Sequence, residues 1–180
     1  MPILETERII LRPFKISDSQ SLYNYRSDAE TNKYQNWVPK QLTEAETFIS
    51  KLEQEFNTPD SWFQLAIVEK ISNVLIGDIG LHFIGPDNRQ VEIGFTLDKS
   101  YQGKRYATES VSKVIEHLFS DLNKHRIFAS IDPASTKSRQ LLERLGFRKE
   151  AHFKKSYYFK GAWVDDVIYA LLQSEWRNQH

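Results

Sequence analysis

A chain of 180 residues, 40% apolar and 13% aromatic, is long enough to bury a sizeable core and short enough to be one domain, expected over residues 1–180. Lysine plus arginine and aspartate plus glutamate both number 24, so no net field gathers nucleic acid or an anionic membrane. The absence of cysteine excludes disulfides, thiolate metal sites and an acyl-cysteine intermediate.

The opening Met1-Pro2-Ile3-Leu4-Glu5 lacks a basic-then-apolar signal layout, and no stretch approaches the roughly 20 apolar residues of a membrane span. A cytoplasmic location is expected. Residues 8–14 are a β-type run closed by Pro13, and Ser17-Asp18 offers an N-cap for a helix to about Ser27. Residues 29–41 carry Tyr34, Trp37 and Pro39 without a regular period. Thr43-Glu44-Ala45-Glu46 then opens a second helix, expected to reach about Phe56.

Three β-type runs follow, residues 62–69, 74–83 and 90–97, which read as an antiparallel meander. Ala107, Val111, Val114, Ile115, Leu118, Phe119 and Leu122 fall on one face of a third helix. A strand over residues 126–131 leads into a helix from about Ser135 to Leu145, with Gly146 in the position that favours a left-handed C-cap. Two strands, residues 147–158 and 164–172, close the chain through a tight connection at 160–163. An antiparallel first half followed by strand-helix-strand-helix-strand predicts a mixed α/β fold, a mixed sheet with helices on both faces.

The segment between residues 97 and 107 joins a strand to the strongest helix, so free N–H groups and a positive helix end converge there. Gly103 permits close approach of a bulky anion, and Lys104 and Arg105 add positive charge. The same pattern also suits a surface turn whose glycine relieves a bend.

This segment resembles the pyrophosphate loop of the GNAT acetyltransferase superfamily, Gln/Arg-x-x-Gly-x-Gly/Ala. Gln102-Gly103-Lys104-Arg105-Tyr106-Ala107 matches its first and last positions. The fourth position, usually glycine, is Arg105, so either φ is ordinary there or the arginine supplies a side-chain contact. Residues 6–12, 92–97, 141–147 and 161–166, with Tyr169, Leu171, Leu172, Glu175 and Trp176, resemble successive segments of the ribosomal-protein N-terminal acetyltransferase branch. The resemblance implies a GNAT-type central sheet of about seven strands whose two central parallel strands splay apart to take acetyl-CoA.

On that resemblance, the backbone of Phe95, Thr96 and Leu97 would pair with the cofactor arm, and Gln102, Gly103, Lys104, Arg105, Tyr106, Ala107 and Thr108 would hold its phosphates. Ser135 stands where the family often has asparagine. Ser138 matches a serine that some relatives use to protonate the departing thiolate, though it also suits an ordinary first-turn position.

An amine nucleophile must lose a proton, since a lysine-like amine has a pKa of about 10.4. Glu92, sharing a strand face with Gly94 and Thr96, is the leading base candidate; a simple ion-pair role fits the same position. The carboxylate that some relatives use falls near Tyr157 or Tyr158, which here supply none and point to opposite faces of an extended strand.

The histidines at 82, 117, 125, 152 and 180 lack metal-ligand spacing, so no metal is expected. Tyr34, Trp37 and Trp62 are candidate walls for the acceptor or ordinary core anchors. Excess acid between Thr43 and Asp60 (Glu44, Glu46, Glu53, Glu55 and Asp60) suits a cationic acceptor or a solvated helix face. The resulting expectation is direct transfer from acetyl-CoA to a protein N-terminal amine, such as that of a ribosomal protein. A small cationic amine (polyamine or aminoglycoside) and a non-catalytic acyl-CoA-binding module are the alternatives. No nucleic-acid or membrane partner is expected, and a homodimer is one assembly the chain could form.

Overall fold

The computed structural model describes residues 3–178. One mixed sheet contains eight strands: β1 (Leu4–Glu5), β2 (Ile9–Pro13), β3 (Ser61–Glu69), β4 (Val74–Ile84), β5 (Gln90–Leu97), β6 (Arg126–Ile131), β7 (Arg148–Phe159) and β8 (Ala162–Leu172). Their order is β1-β2-β3-β4-β5-β6-β8-β7. Neighbours run antiparallel except β5 and β6. The expected seven strands become eight through β1, too short to show a period, which pairs Leu4 with Leu11.

The sheet is apolar on both faces because its central strands alternate core residues of two clusters. Leu65 and Ile67 join Val111, Val114, Ile115 and Leu118 on one face, whereas Ala66 and Val68 meet Leu22, Ala45 and Ile49 on the other. The first face is covered by α3 (Tyr106–Glu116) and α4 (Thr136–Arg144), the second by α1 (Ser19–Arg26) and α2 (Leu42–Ser50). Each fully buried leucine or isoleucine contributes about 1.5–3 kcal/mol, so these two layers fix the sheet between them.

Helix α2 stops at Ser50 rather than near Phe56. The physical reason is the side of the sheet: α2 packs with Ala66 and Val68, while Phe56 packs edge-on against Phe63 and Phe83 in the opposite cluster. A continuous helix would hold Phe56 on the wrong face. The third helix is regular only to Glu116 and then widens into a π turn over His117–Asp121, with Leu122 N–H donating to the His117 carbonyl. Before α1 a 3-10 turn, Ile16–Asp18, intervenes; the Asp18 side chain does not cap α1 but accepts from the Lys15 N–H at 2.8 Å and from the two Arg12 Nη atoms at 2.7 and 2.9 Å. Gly146 does end α4 with φ of 85°, and Phe147 N–H returns to the Leu142 carbonyl. A short closing helix, α5 (Gln173–Arg177), was not legible in the sequence pattern.

The decisive feature is the β5–β6 junction. These strands pair only through Gln90, Val91 and Glu92 with Arg126, Ile127 and Phe128. Beyond that point β5 stays with β4, to Leu97 opposite Gly77, and β6 stays with β8, to Ile131 opposite Val167. A wedge therefore opens between residues 93–97 and 129–131.

At the closed end of the wedge Lys124 is buried. Its ammonium lies over the Phe83 ring and donates to the Asn57 side-chain oxygen and the Asn88 carbonyl, with no carboxylate within ion-pair distance among the described residues. Burial, assisted by the nearby Arg89 charge, lowers its pKa from 10.5 to about 8. Between about pH 8 and 10.5 the unfolded chain therefore binds more protons than the folded one, and stability contributed through Lys124 rises with pH. Denaturant melts of the native chain and Lys124→Met should show the native chain gaining on the variant across that window; parallel pH profiles would assign Lys124 no such burden.

Candidate active site

Two cavities meet at the mouth of the wedge. The larger, about 860 Å³, lies between the β5–α3 loop and α4. Phe95, Thr96 and Leu97 line it, as do Gln102, Gly103, Arg105, Tyr106, Ala107, Thr108, Ser135 and Ser138. Thus every cofactor residue expected from the sequence reaches this cavity except Lys104. The Lys104 ammonium lies over the Tyr101 ring, and its carbonyl accepts from Arg8.

The loop owes its shape to two left-handed residues, Gly103 with φ of 75° and Arg105 with φ of 66°. Arg105 thus takes the conformation that glycine has in the family's pattern, and it lies in the lining of the cavity. A non-glycine residue there costs roughly 1 kcal/mol. The opening motif holds the loop in place. Thr6 donates to Glu109 in the first turn of α3, and Arg8 reaches the same carboxylate at 2.6 and 2.8 Å while stacking on Tyr106 at 4.4 Å. Burial works against the Glu109 charge, but the hydrogen bonds from Thr6 and Arg8 outweigh it and lower the pKa. Gln102 donates to the Leu97 carbonyl at 2.9 Å and accepts from Lys137 at 2.9 Å, tying the loop to α4 across the cleft.

Lys33, Lys99, Arg105, Lys137 and Arg144 line the larger cavity against one acid, Glu30. Four of these, Lys33, Lys99, Lys137 and Arg144, were not expected at the site from the sequence. Lys137, Leu141 and Arg144 occupy positions i, i+4 and i+7 of α4, so their common face was legible, but nothing in the sequence said that it opposes the loop. Among the described residues, the buried Thr96 hydroxyl has no hydrogen-bond partner, and the edge of β5 beyond Glu92 has no paired strand on the β6 side. Free edge groups, an orphaned hydroxyl and clustered cations fit an extended amide-bearing ligand with a polyanionic end.

The smaller cavity, about 500 Å³, lies on the α1–α2 side and shares Tyr34, Gln35, Phe95, Ser135 and Ser138 with the larger. Ser135 Oγ donates to Ser138 Oγ at 2.9 Å, so the two serines stand together at the junction. Glu92 lines the smaller cavity. It forms a cross-strand row with His82 and Trp62: His82 Nδ1 is 3.4 Å from Glu92 Oε2, and the imidazole stacks on Trp62 at 4.6 Å. Tyr34, Trp37 and Trp62 all line this cavity. Tyr157 does too, accepting from Asn36, whereas Tyr158 packs against Trp163 on the other side of the hairpin.

A buried polar cluster forms part of the wall. Asp78 accepts from Tyr25, from both Arg26 Nε at 3.0 Å and its Nη2, and from Gln64 at 2.6 Å. Burial opposes the Arg26 charge, but the Asp78 carboxylate more than compensates and raises the pKa of the Arg26 guanidinium; burial and the same carboxylate push the Tyr25 hydroxyl well up. Asp132, Asp165 and Asp166 complete an acid-rich lining. Hydrogen bonds from Lys154, the Lys155 N–H and His152 hold the Asp165 carboxyl well below its usual range. Glu92, Asp132 and Asp166 have no lysine or arginine partner among the described residues.

The acids of residues 43–60 do not line either cavity. Glu44 and Glu53 cap nearby backbone N–H groups, and Asp60 accepts from Gly85. Among the described residues no group of three or more His, Asp or Glu side chains could hold a metal ion, and His180 lies outside them. No helix of the described residues is long and apolar enough to cross a membrane.

A mixed sheet with a wedge between parallel strands, joined to a loop of helix-terminal N–H groups, forms a cleft for an extended ligand with an anionic end. Residues 8–148 match the family described as the acetyltransferase (GNAT) domain. The chain belongs to this family and is an N-acetyltransferase. It is 33% identical to the uncharacterized N-acetyltransferase p20 of Bacillus licheniformis over 98% of this chain and 99% of that protein. At 25% identity it is similar to the spermidine N(1)-acetyltransferase of Vibrio cholerae, covering 96% of this chain and 97% of that one. It is equally similar to the ribosomal protein uS5-alanine N-acetyltransferase of Escherichia coli, over 96% and 92%. Among solved structures, a GNAT-family acetyltransferase from Bacillus anthracis superposes with a TM-score of 0.87 at 26% identity, covering 96% of this chain and 99% of that one.

Arg105→Gly should leave folding stability within about 0.5 kcal/mol, because relief of the left-handed strain is offset by the added freedom of glycine in the unfolded chain. Acetyl-CoA affinity, read by calorimetry, should fall about tenfold through loss of the cationic side chain. Unchanged affinity would remove Arg105 from phosphate recognition.

Proposed function

We propose that the chain moves an acetyl group from acetyl-CoA to a primary amine by direct attack in a ternary complex. The cofactor lies in the larger cavity and the amine in the smaller. The observation that carries this reading is the division of charge between two connected cavities: basic side chains line one, and carboxylates dominate the other. An anionic cofactor and a cationic acceptor are thereby each drawn to one side of the junction.

Bound acetyl-CoA supplies the activated thioester. Phe95, Thr96 and Leu97 orient its arm through strand edge groups, and the loop from Gln102 to Thr108, with Lys99, Lys137 and Arg144, holds its phosphates. Glu92 takes the proton of the amine, directly or through a water, so that the neutral nitrogen forms the new C–N bond as the C–S bond breaks. Ser138, supported by Ser135, returns a proton to the departing sulfur.

Three carboxylates without a lysine or arginine partner favour an acceptor with more than one positive charge, and a small polyamine-like amine becomes the first reading. A protein N-terminal amine, such as that of a ribosomal protein, is the second, supported by the resemblance of the opening and closing segments. The two thus exchange the order they had from sequence.

Incubation with acetyl-CoA and either linear polyamines or peptides, followed by mass spectrometry, separates them. Polyamines should be acetylated preferentially, with the rate falling as salt screens the pocket; transfer to peptides alone would reverse the order. Glu92→Gln should lower kcat on the order of 100-fold while leaving acetyl-CoA affinity unchanged. An unaltered kcat would assign proton removal elsewhere.

A further inference from the structure

The acceptor pocket contains two glycines facing one another across adjacent strands, Gly80 of β4 and Gly94 of β5. Neither has the positive φ that would require glycine, and glycine in a strand interior weakens it. Packing explains one of them. A Cβ at Gly80 would lie 3.0 Å from Gln64 Oε1 and 3.3 Å from the Trp62 ring, so the bare backbone there lets Trp62 and Gln64 lie across β4. Gly77, further along β4, is more constrained still, since its Cβ would meet the Thr96 carbonyl at 2.4 Å.

Gly94 has no such reason. A Cβ there would meet nothing within 4 Å, although the position is two residues from Glu92 on the same strand face and next to Phe95 at the junction of the cavities. The missing side chain leaves open space beside the group that takes the proton, and an uncovered strand glycine marks a place where a ligand comes close to the backbone.

We infer that Gly94 determines acceptor specificity: the segment of the acceptor next to its amine, a straight methylene chain of a polyamine-like substrate, lies directly on the β5 backbone between Trp62 and Phe95. This inference rests on the acceptor reading given above. The Trp62 ring, half exposed and held flat against His82, forms the apolar side of that bed. Glu92 stands at one end and the Arg26–Asp78 pair at the other.

The test uses Gly94→Ala, Gly94→Val and, for contrast, Gly80→Ala, with the linear polyamine as acceptor. Both Gly94 variants should bind acetyl-CoA with Kd within about twofold, and Gly94→Ala should melt at or above the native temperature, because a Cβ there meets no protein atom within 4 Å. Acceptor KM should rise about threefold for alanine and about tenfold or more for valine. Gly80→Ala should lower the melting temperature, since Trp62 and Gln64 must move. An unchanged acceptor KM in Gly94→Val overturns the inference, as does a Kd for acetyl-CoA that rises in step, which would give the space to the cofactor. Should valine impair folding, the single methyl of Gly94→Ala carries the same comparison. Failure of the native enzyme to acetylate any polyamine overturns the acceptor reading itself, an outcome read before any variant is made.

Discussion

Everything at the site follows from the short pairing of β5 with β6. Three residue pairs hold the parallel strands together, and then each strand follows its antiparallel neighbour, β4 on one side and β8 on the other. Backbone groups left without a strand partner are costly unless something else satisfies them. The wedge persists because the ladders on either side, and the apolar layers above and below the sheet, are extensive enough to hold both strands apart. The unsatisfied edge is thus a stored capacity for binding a strand-like ligand.

The wedge also determines what can meet. Helix α3 follows β5 and α4 follows β6, so both helix N-termini arrive at its open end and bring their positive ends to one place. The β5–α3 loop is fixed there from a distant part of the chain: Thr6 and Arg8 grip Glu109, and Arg8 also covers Tyr106. That anchoring explains how Arg105 can be held in a left-handed conformation that glycine would adopt with less strain. The smaller cavity is built by different elements, α1 and the segment before α2 on one flank and the β7–β8 hairpin on the other. Asn36 to Tyr157 and Lys160 to the Lys33 carbonyl join those flanks across the cleft.

The charge division between the two cavities arises from this geometry. Lys137 and Arg144 lie on the face of α4 toward the loop, while Asp132, just before α4, and Asp166, on β8, face the acceptor side. A chain of zero net charge therefore presents opposite fields to two ligands a few residues apart. Composition averages that asymmetry away.

Most strands and helices, though neither β1 nor α5, were legible in the sequence because local pattern encodes them: alternation in β3 to β5, helical spacing from Ala107 to Leu122, and the glycine at 146. That Tyr157 and Tyr158 face opposite ways followed from strand alternation, but which of them lines the cavity, and that the other packs on Trp163, came only from the structure. Where α2 ends was not legible, because the choice between Phe56 on one face or the other depends on Phe63 and Phe83. Nor were Arg26, Asp78 and Gln64, which come together from α1, β4 and β3, or the emptiness beside Gly94, which is a property of what surrounds it. The sequence by itself determined most of the elements and the glycine and basic residues of the β5–α3 loop, since these depend on neighbours within a few residues. Only the tertiary structure decided which charges face which ligand and where space is left, because those depend on residues brought together from across the chain.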